Sequence, residues 1–122
     1  MNVKQFAHKV GLTGHTVRYY DKLGLFGPLA RNPSGHRCFN QQDIDWIAFV
    51  LRLKETGMPL EQILQYAHLR AEGDTTLQAR LQLLQQHAAT LEARLALEQH
   101  HLGKLNEKIG YYQHRLLAEK AP

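Results

Sequence analysis

Apolar positions along this chain follow two rhythms, one repeatedly interrupted and one unbroken. Val3, Phe6, Ala7 and Val10 stand at i, i+3, i+4 and i+7, which predicts a short amphipathic helix closed by Gly11. Leu12 fits a buried turn residue and Thr13 an N-cap, opening a second helix over about Gly14–Leu23 that buries Val17 and Leu23 and stops at Gly24. Two short helices joined by a tight turn form a helix-turn-helix pattern.

From Leu25 the rhythm breaks. Gly27, Pro28, Pro33 and Gly35 forbid a long helix, and Asn32-Pro33-Ser34-Gly35 is turn chemistry. Extended pieces at about Gly27–Arg31 and His36–Phe39 predict a small β-hairpin, a wing beside the second helix. Asn40 and Asp43 resemble a capping box opening a third helix, about Gln41–Thr56. Its apolar residues cover more than one face, so a face carrying Trp46, Phe49 or Val50 is expected to be covered by a partner subunit. Gly57 stops this helix, and Pro59 in a first-turn position opens a fourth, about Pro59–Arg70. Gly73-Asp74 divides the chain into residues 1–73 and 74–122, with Thr75 and Gln78 as the next capping-box pair.

Beyond that boundary the rhythm is strict. Leu77, Leu81, Leu84, Ala88, Leu91, Leu95, Glu98, Leu102, Leu105, Ile109, Tyr112 and Leu116 alternate steps of four and three, and all but Glu98 are apolar. Such a heptad seam predicts a coiled coil. About forty residues of helix extend about 60 Å, too far for one small domain to cover, so the seam calls for a second chain. Glu98 reads as a residue fixing register. The g positions are basic and the e positions mostly neutral, which favours neither strand orientation. Gly103 and Gly110 fall at outward positions and suggest a bend or an end, with Tyr111–Ala118 as a separate segment. The predicted fold is mainly α, a winged helix-turn-helix followed by a long dimerising coiled-coil helix.

Charge sharpens the first half. Lys4, Lys9, Arg18, Lys22, Arg31 and Arg37 face a single acid, Asp21, within residues 1–40, although the whole chain carries only +4. A basic segment on a balanced chain suits a polyanion-binding face or an ordinary basic surface. One cysteine, Cys38, excludes an internal disulfide and any multi-cysteine metal site. Neither a signal peptide nor a run of about eighteen apolar residues is present, so the chain reads as cytoplasmic with no membrane partner. No nucleophile–base pair, phosphate-cradling loop or carboxylate pair argues for an enzyme. A coiled-coil adaptor with a basic head is the other rival.

Three stretches narrow the choice. Gly11-Leu12-Thr13 with Thr16-Val17-Arg18-Tyr19-Tyr20-Asp21-Lys22-Leu23-Gly24-Leu25, then Arg31 to Phe39, then Lys54 to Leu60, resemble the recognition helix and two wings of the MerR family, in order and spacing. Glu72 to Arg80 and Lys108-Ile109-Gly110-Tyr111-Tyr112 resemble its AdhR/NmlR-like branch, associated with aldehyde and thiol stress. The resemblance implies a homodimer on an antiparallel coiled coil, binding a pseudo-palindromic operator in the promoter spacer. Bending and untwisting that double-stranded DNA would align the promoter for RNA polymerase, with specificity partly from indirect readout.

On that reading the DNA contacts are His15, Thr16, Arg18, Tyr19 and Tyr20 on the second helix, Arg31, His36 and Arg37 on the wing, and Lys54 at the second wing. His36 stands where the family often has Tyr. Cys38 fits either a small buried hydrophobe or a redox thiol beside Arg37 and His36. The branch places its sensing thiol where Arg52 stands here, which puts thiol sensing in doubt. The eight histidines lack the family's metal-binding cysteines and read as solvated, so neither metal nor cofactor is expected. No ligand domain follows the seam, so any effector is expected at the dimer interface.

Overall fold

The computed structural model describes residues 1–121, in the order α1 (Val3–Val10), α2 (Gly14–Lys22), β1 (Ala30–Arg31), β2 (Arg37–Cys38), α3 (Gln41–Glu55), α4 (Leu60–Glu72), a 3-10 turn (Asp74–Thr76) and α5 (Leu77–Glu119). By contacts the chain forms two units, residues 1–85 and residues 86–122.

In the first unit each short helix starts and stops on a local signal. Asn2 and Gln5 form a capping box on α1, and Gly11 ends it in the left-handed region at φ 75°. The Thr13 hydroxyl accepts from the Thr16 N–H and caps α2. Asn40 and Asp43 form the predicted capping box on α3. Pro59 sits one residue earlier than predicted, as the N-cap of α4 rather than its first helical residue, and α4 continues to Glu72.

Strands β1 and β2 pair antiparallel, Ala30 with Cys38 and Arg31 with Arg37. The hairpin is shorter than expected because Asn32 builds its turn internally. The Asn32 side-chain oxygen accepts from the N–H groups of Ser34 and His36, at 3.0 and 2.9 Å.

The core lies where α1, α2, α3 and α4 meet. Phe6 stacks on Phe39 at 4.3 Å between centroids, and Phe26 meets both edge-on. Val17, Leu25, Ile47 and Ile63 are fully buried. Trp46 and Val50, expected on a partner-facing side of α3, belong to this core instead. The Trp46 indole N–H donates to the Leu25 carbonyl at 2.9 Å, and both residues are buried. Only Phe49 of that trio stays half-exposed.

The α2 register also differs from expectation, since Tyr20 turns inward and Leu23 outward. A nine-residue helix has one buried stripe, and Tyr20 lies three residues from Val17 on that stripe, whereas Leu23 falls in the chain turn after the last helical residue.

The predicted Thr75–Gln78 cap is replaced by a different device. Thr76 is buried and donates to the carbonyls of Leu69 and Gly73, while Arg80 donates to the Thr76 hydroxyl and the Gly73 carbonyl. Leu84 packs against the core cluster, so the start of α5 belongs with the first unit.

The second unit is helical to Glu119 and passes through Gly103 and Gly110 without a break, so Tyr111–Ala118 is no separate segment. A glycine in a helix costs about 1 kcal/mol relative to alanine, which the flanking helical turns absorb. No residue of α5 is buried. No helix among the described residues is long and apolar enough to cross a membrane.

Candidate nucleic-acid interface

Helix α2 presents its polar face outward. His15, Arg18, Tyr19 and Lys22 follow the i, i+3, i+4, i+7 spacing and are all exposed. Lys22 was not singled out as a contact, although the same spacing identifies it. Gly14 leaves room for Arg18, since a Cβ there would stand 3.3 Å from the Arg18 Nη1. Thr16 is half-buried, and its hydroxyl accepts from Thr13 at 2.9 Å.

Two recesses flank this helix. One, of about 400 Å³, lies among the start of α1, α2 and the hairpin. Lys4, Arg18, Arg31, His36 and Arg37 all line it, with Asp21 as its acid. Four permanent cations around one carboxylate make a surface for phosphate oxygens. Lys4 is a second residue that the sequence did not single out, because its proximity to the hairpin is purely tertiary.

Within this recess the wing arginines have structural partners. Arg37 forms an ion pair with Asp21, whose carboxylate is nearly buried, and so ties the hairpin to α2. The Arg31 Nη1 donates to the Gly35 carbonyl at 2.7 Å, across the turn. Arg37, expected as a phosphate contact, also holds the wing to α2.

The other recess, of about 450 Å³, lies between α2, α3 and the start of α4. His15, Thr16, Tyr19 and Lys54 line it above a floor that includes Leu25, Val50 and Ile63. Tyr20 also contributes, but its ring is buried and its phenolic oxygen accepts from the Lys54 ammonium at 3.0 Å. Tyr20 thus holds Lys54 through its hydroxyl. That hydrogen bond raises the Lys54 ammonium above its ordinary pKa, helped by electrostatic attraction to Tyr20 and opposed by slight desolvation.

Cys38 is half-buried on β2, with its Sγ 3.8 Å from the His36 carbonyl. Arg52 is exposed on α3. Among the described residues no three His, Cys, Asp or Glu side chains are grouped to hold a metal ion.

Comparison with known proteins agrees with this geometry. Residues 1–69 match the family described as MerR HTH family regulatory protein, and residues 44–108 match the one described as MerR, DNA binding. The chain belongs to the MerR family. This MerR chain is 40% identical over 84 residues to the HTH-type transcriptional regulator AdhR of Bacillus subtilis, a match covering 69% of this chain and 60% of that protein. The matched region therefore spans less than two thirds of that curated relative.

Solved structures match more of the length. A MerR family transcriptional regulator from Listeria monocytogenes superposes with TM-score 0.89 at 35% identity, covering 98% of this chain and 91% of the other. HiNmlR, a MerR family regulator lacking the sensor domain and solved bound to promoter DNA, gives TM-score 0.81 at 32% identity, with 93% and 90% covered. These relatives are named as transcriptional regulators, and the two family descriptions this chain matches are of a regulatory protein and of DNA binding.

Proposed function

We propose that the chain acts as a homodimer on a pseudo-palindromic operator within a promoter spacer, and activates transcription by bending and untwisting that DNA. The observation that carries this reading is the exposed α2 face of His15, Arg18, Tyr19 and Lys22, standing between two recesses that hold further cations. Such a face suits entry into a major groove, with the flanking cations on the phosphates to either side.

In this reading residues 1–73 bind DNA and residues 74–122 dimerise. His15, Arg18 and Tyr19 reach the groove, Arg31 and His36 reach backbone from the wing, and Lys54 reaches it from the other side. Dimerisation rests on the exposed seam, where Leu95, Leu102, Leu105 and Ile109 have no cover within their own unit. RNA polymerase would be the partner at the same promoter, and the resemblance to the AdhR/NmlR-like branch favours a stress response.

The test is a salt-controlled binding assay of the full chain. DNA from its own promoter region is compared with scrambled DNA of equal length. At physiological salt the promoter should bind about a thousandfold tighter or more. Equal affinity for both, with only a steep salt dependence, would overturn the reading in favour of a basic adaptor. Transcription by purified polymerase from templates of altered spacer length then tests activation by deformation.

A further inference from the structure

Away from the α2 face, helices α3 and α4 and the start of α5 border an open recess with a different chemistry. Its volume is about 490 Å³, within the range of small-molecule sites. Trp46, Phe49 and Tyr66 form one wall as a connected set of rings. Trp46 stacks on Tyr66 at 5.8 Å, and Phe49 lies 5.8 Å from Tyr66 and 6.4 Å from Trp46. Phe49 and Tyr66 are only half-buried, so ring surface faces the recess.

Two guanidinium groups complete the lining. Arg70 lies over the Trp46 ring with its Cζ 4.3 Å from the centroid, which fixes the plane of the group without using its N–H donors. Arg80 is half-buried and anchored by bonds to the Thr76 hydroxyl at 3.0 Å and the Gly73 carbonyl at 3.1 Å. Neither arginine is ion-paired among the described residues. The one acid of the lining, Asp45, accepts instead from the Gln41 side chain at 3.1 Å. The recess thus joins aromatic walls to two held cations whose charge exceeds that of its single carboxylate.

We propose that this recess binds a small organic anion with a planar apolar body, of the aromatic carboxylate class. The ring of such a ligand meets Phe49 and Tyr66, and its carboxylate accepts from Arg70 and Arg80. A bare inorganic anion leaves the aromatic wall unused, and a neutral aromatic leaves the guanidinium donors unused. The site is distinct from the α2 face, and binding here does not depend on the DNA reading. Because Trp46 and Lys54 share α3, an occupant bears on the same helix that carries Lys54.

Trp46 is the only tryptophan in the sequence, so its emission reports on the wall of this recess and the core behind it. The full chain, without DNA, is titrated with phenylacetate, and in parallel with benzyl alcohol and with acetate. Saturable change with phenylacetate is expected, with both controls weaker by about tenfold or more. Arg70→Gln should weaken phenylacetate by about tenfold, and Arg70→Lys by less, both confirmed by calorimetry because the substitutions alter the emission itself. Arg70 is exposed, so neither substitution removes buried packing. Equal binding of phenylacetate and benzyl alcohol, unchanged affinity in Arg70→Gln, or no saturable response would overturn the proposal. So would an emission change that follows protein concentration and ignores ligand, since a second copy would then fill the recess.

Discussion

Residues 1–85 and residues 86–119 are both rich in aliphatic side chains, yet only the first set has anywhere to put them. In the first unit Phe6, Val17, Leu25, Ile47 and Ile63 are fully enclosed, and every buried side-chain polar atom has a partner among the described residues. In the second, Leu95, Leu102, Leu105, Ile109 and Leu116 all remain about half exposed or more. A lone helix draws little stability from backbone propensity, and most helical stability in proteins comes from packing an apolar face. The first unit supplies that packing from its own elements, whereas on the proposed homodimer reading the second takes it from another chain. On that reading stability in one region is intramolecular, and in the other it should depend on concentration.

The largest break of this contrast comes from charging the seam. Leu95→Lys with Leu102→Lys should abolish the proposed association, read by sedimentation as a monomer beside a dimeric natural chain at equal concentration. Operator affinity should fall roughly a hundredfold, because two half-sites are no longer held together. The first unit should keep its fold. A variant that stays dimeric would show that the seam is not the interface.

The converse substitution strikes the first unit alone. Ile47→Ala removes a fully buried side chain from α3 and should cost about 3 kcal/mol in denaturant unfolding. Its unfolding midpoint should shift even in the seam variant, since this core needs no partner.

This division was legible in the sequence to different degrees. Capping residues and periodicity located α1, α2 and α3 closely, because caps and turns are local physics read from a few adjacent residues. The heptads identified α5 for the same reason. Trp46 was misassigned to a partner surface because its indole bond to the Leu25 carbonyl joins residues 21 apart in sequence. Tyr20 and Leu23 were exchanged because α2 is too short for its period to choose between them.

The candidate interface was half visible. His15, Arg18, Tyr19, Arg31 and His36 stand exposed where the motif implied. The Arg37–Asp21 pair and the approach of Lys4 to the wing required the fold to bring α1, α2 and the hairpin together.

That pair allows an intermediate test. Arg37→Gln leaves the nearly buried Asp21 carboxylate without its cation and should cost about 1–2 kcal/mol, discounted for the partial exposure of Arg37. Amide exchange should rise in the hairpin more than in α3. If instead stability holds and only DNA affinity drops, Arg37 serves phosphate rather than the wing.

A smaller effect of opposite sign is expected in the second unit. A Cβ at Gly103 or Gly110 would meet nothing within 4 Å in this chain. Gly110→Ala should therefore stabilise α5 by about 1 kcal/mol, read as a higher melting temperature. Loss of stability there would mean that another helix approaches Gly110 closely, extending the interface beyond the leucine seam.

The smallest effect separates the two flanks of α2 by pH. Lys54 is exposed, and its pKa is raised first by the hydrogen bond to Tyr20 and then by electrostatic attraction to Tyr20, with desolvation opposing. A folded-state pKa above the unfolded value means the stabilisation is fully present below the ordinary lysine pKa. It is lost as pH rises through the raised value, so the change falls wholly in the alkaline range. The natural chain should therefore lose a small increment of stability as pH rises above about 10.5 that Tyr20→Phe lacks, measured by denaturant unfolding at each pH. The phenylalanine ring preserves the buried packing of Tyr20, so the difference isolates the hydroxyl. An equal alkaline loss in both proteins would show that Lys54 is not held by Tyr20, and that the recess beside α3 presents a free cation rather than a positioned one.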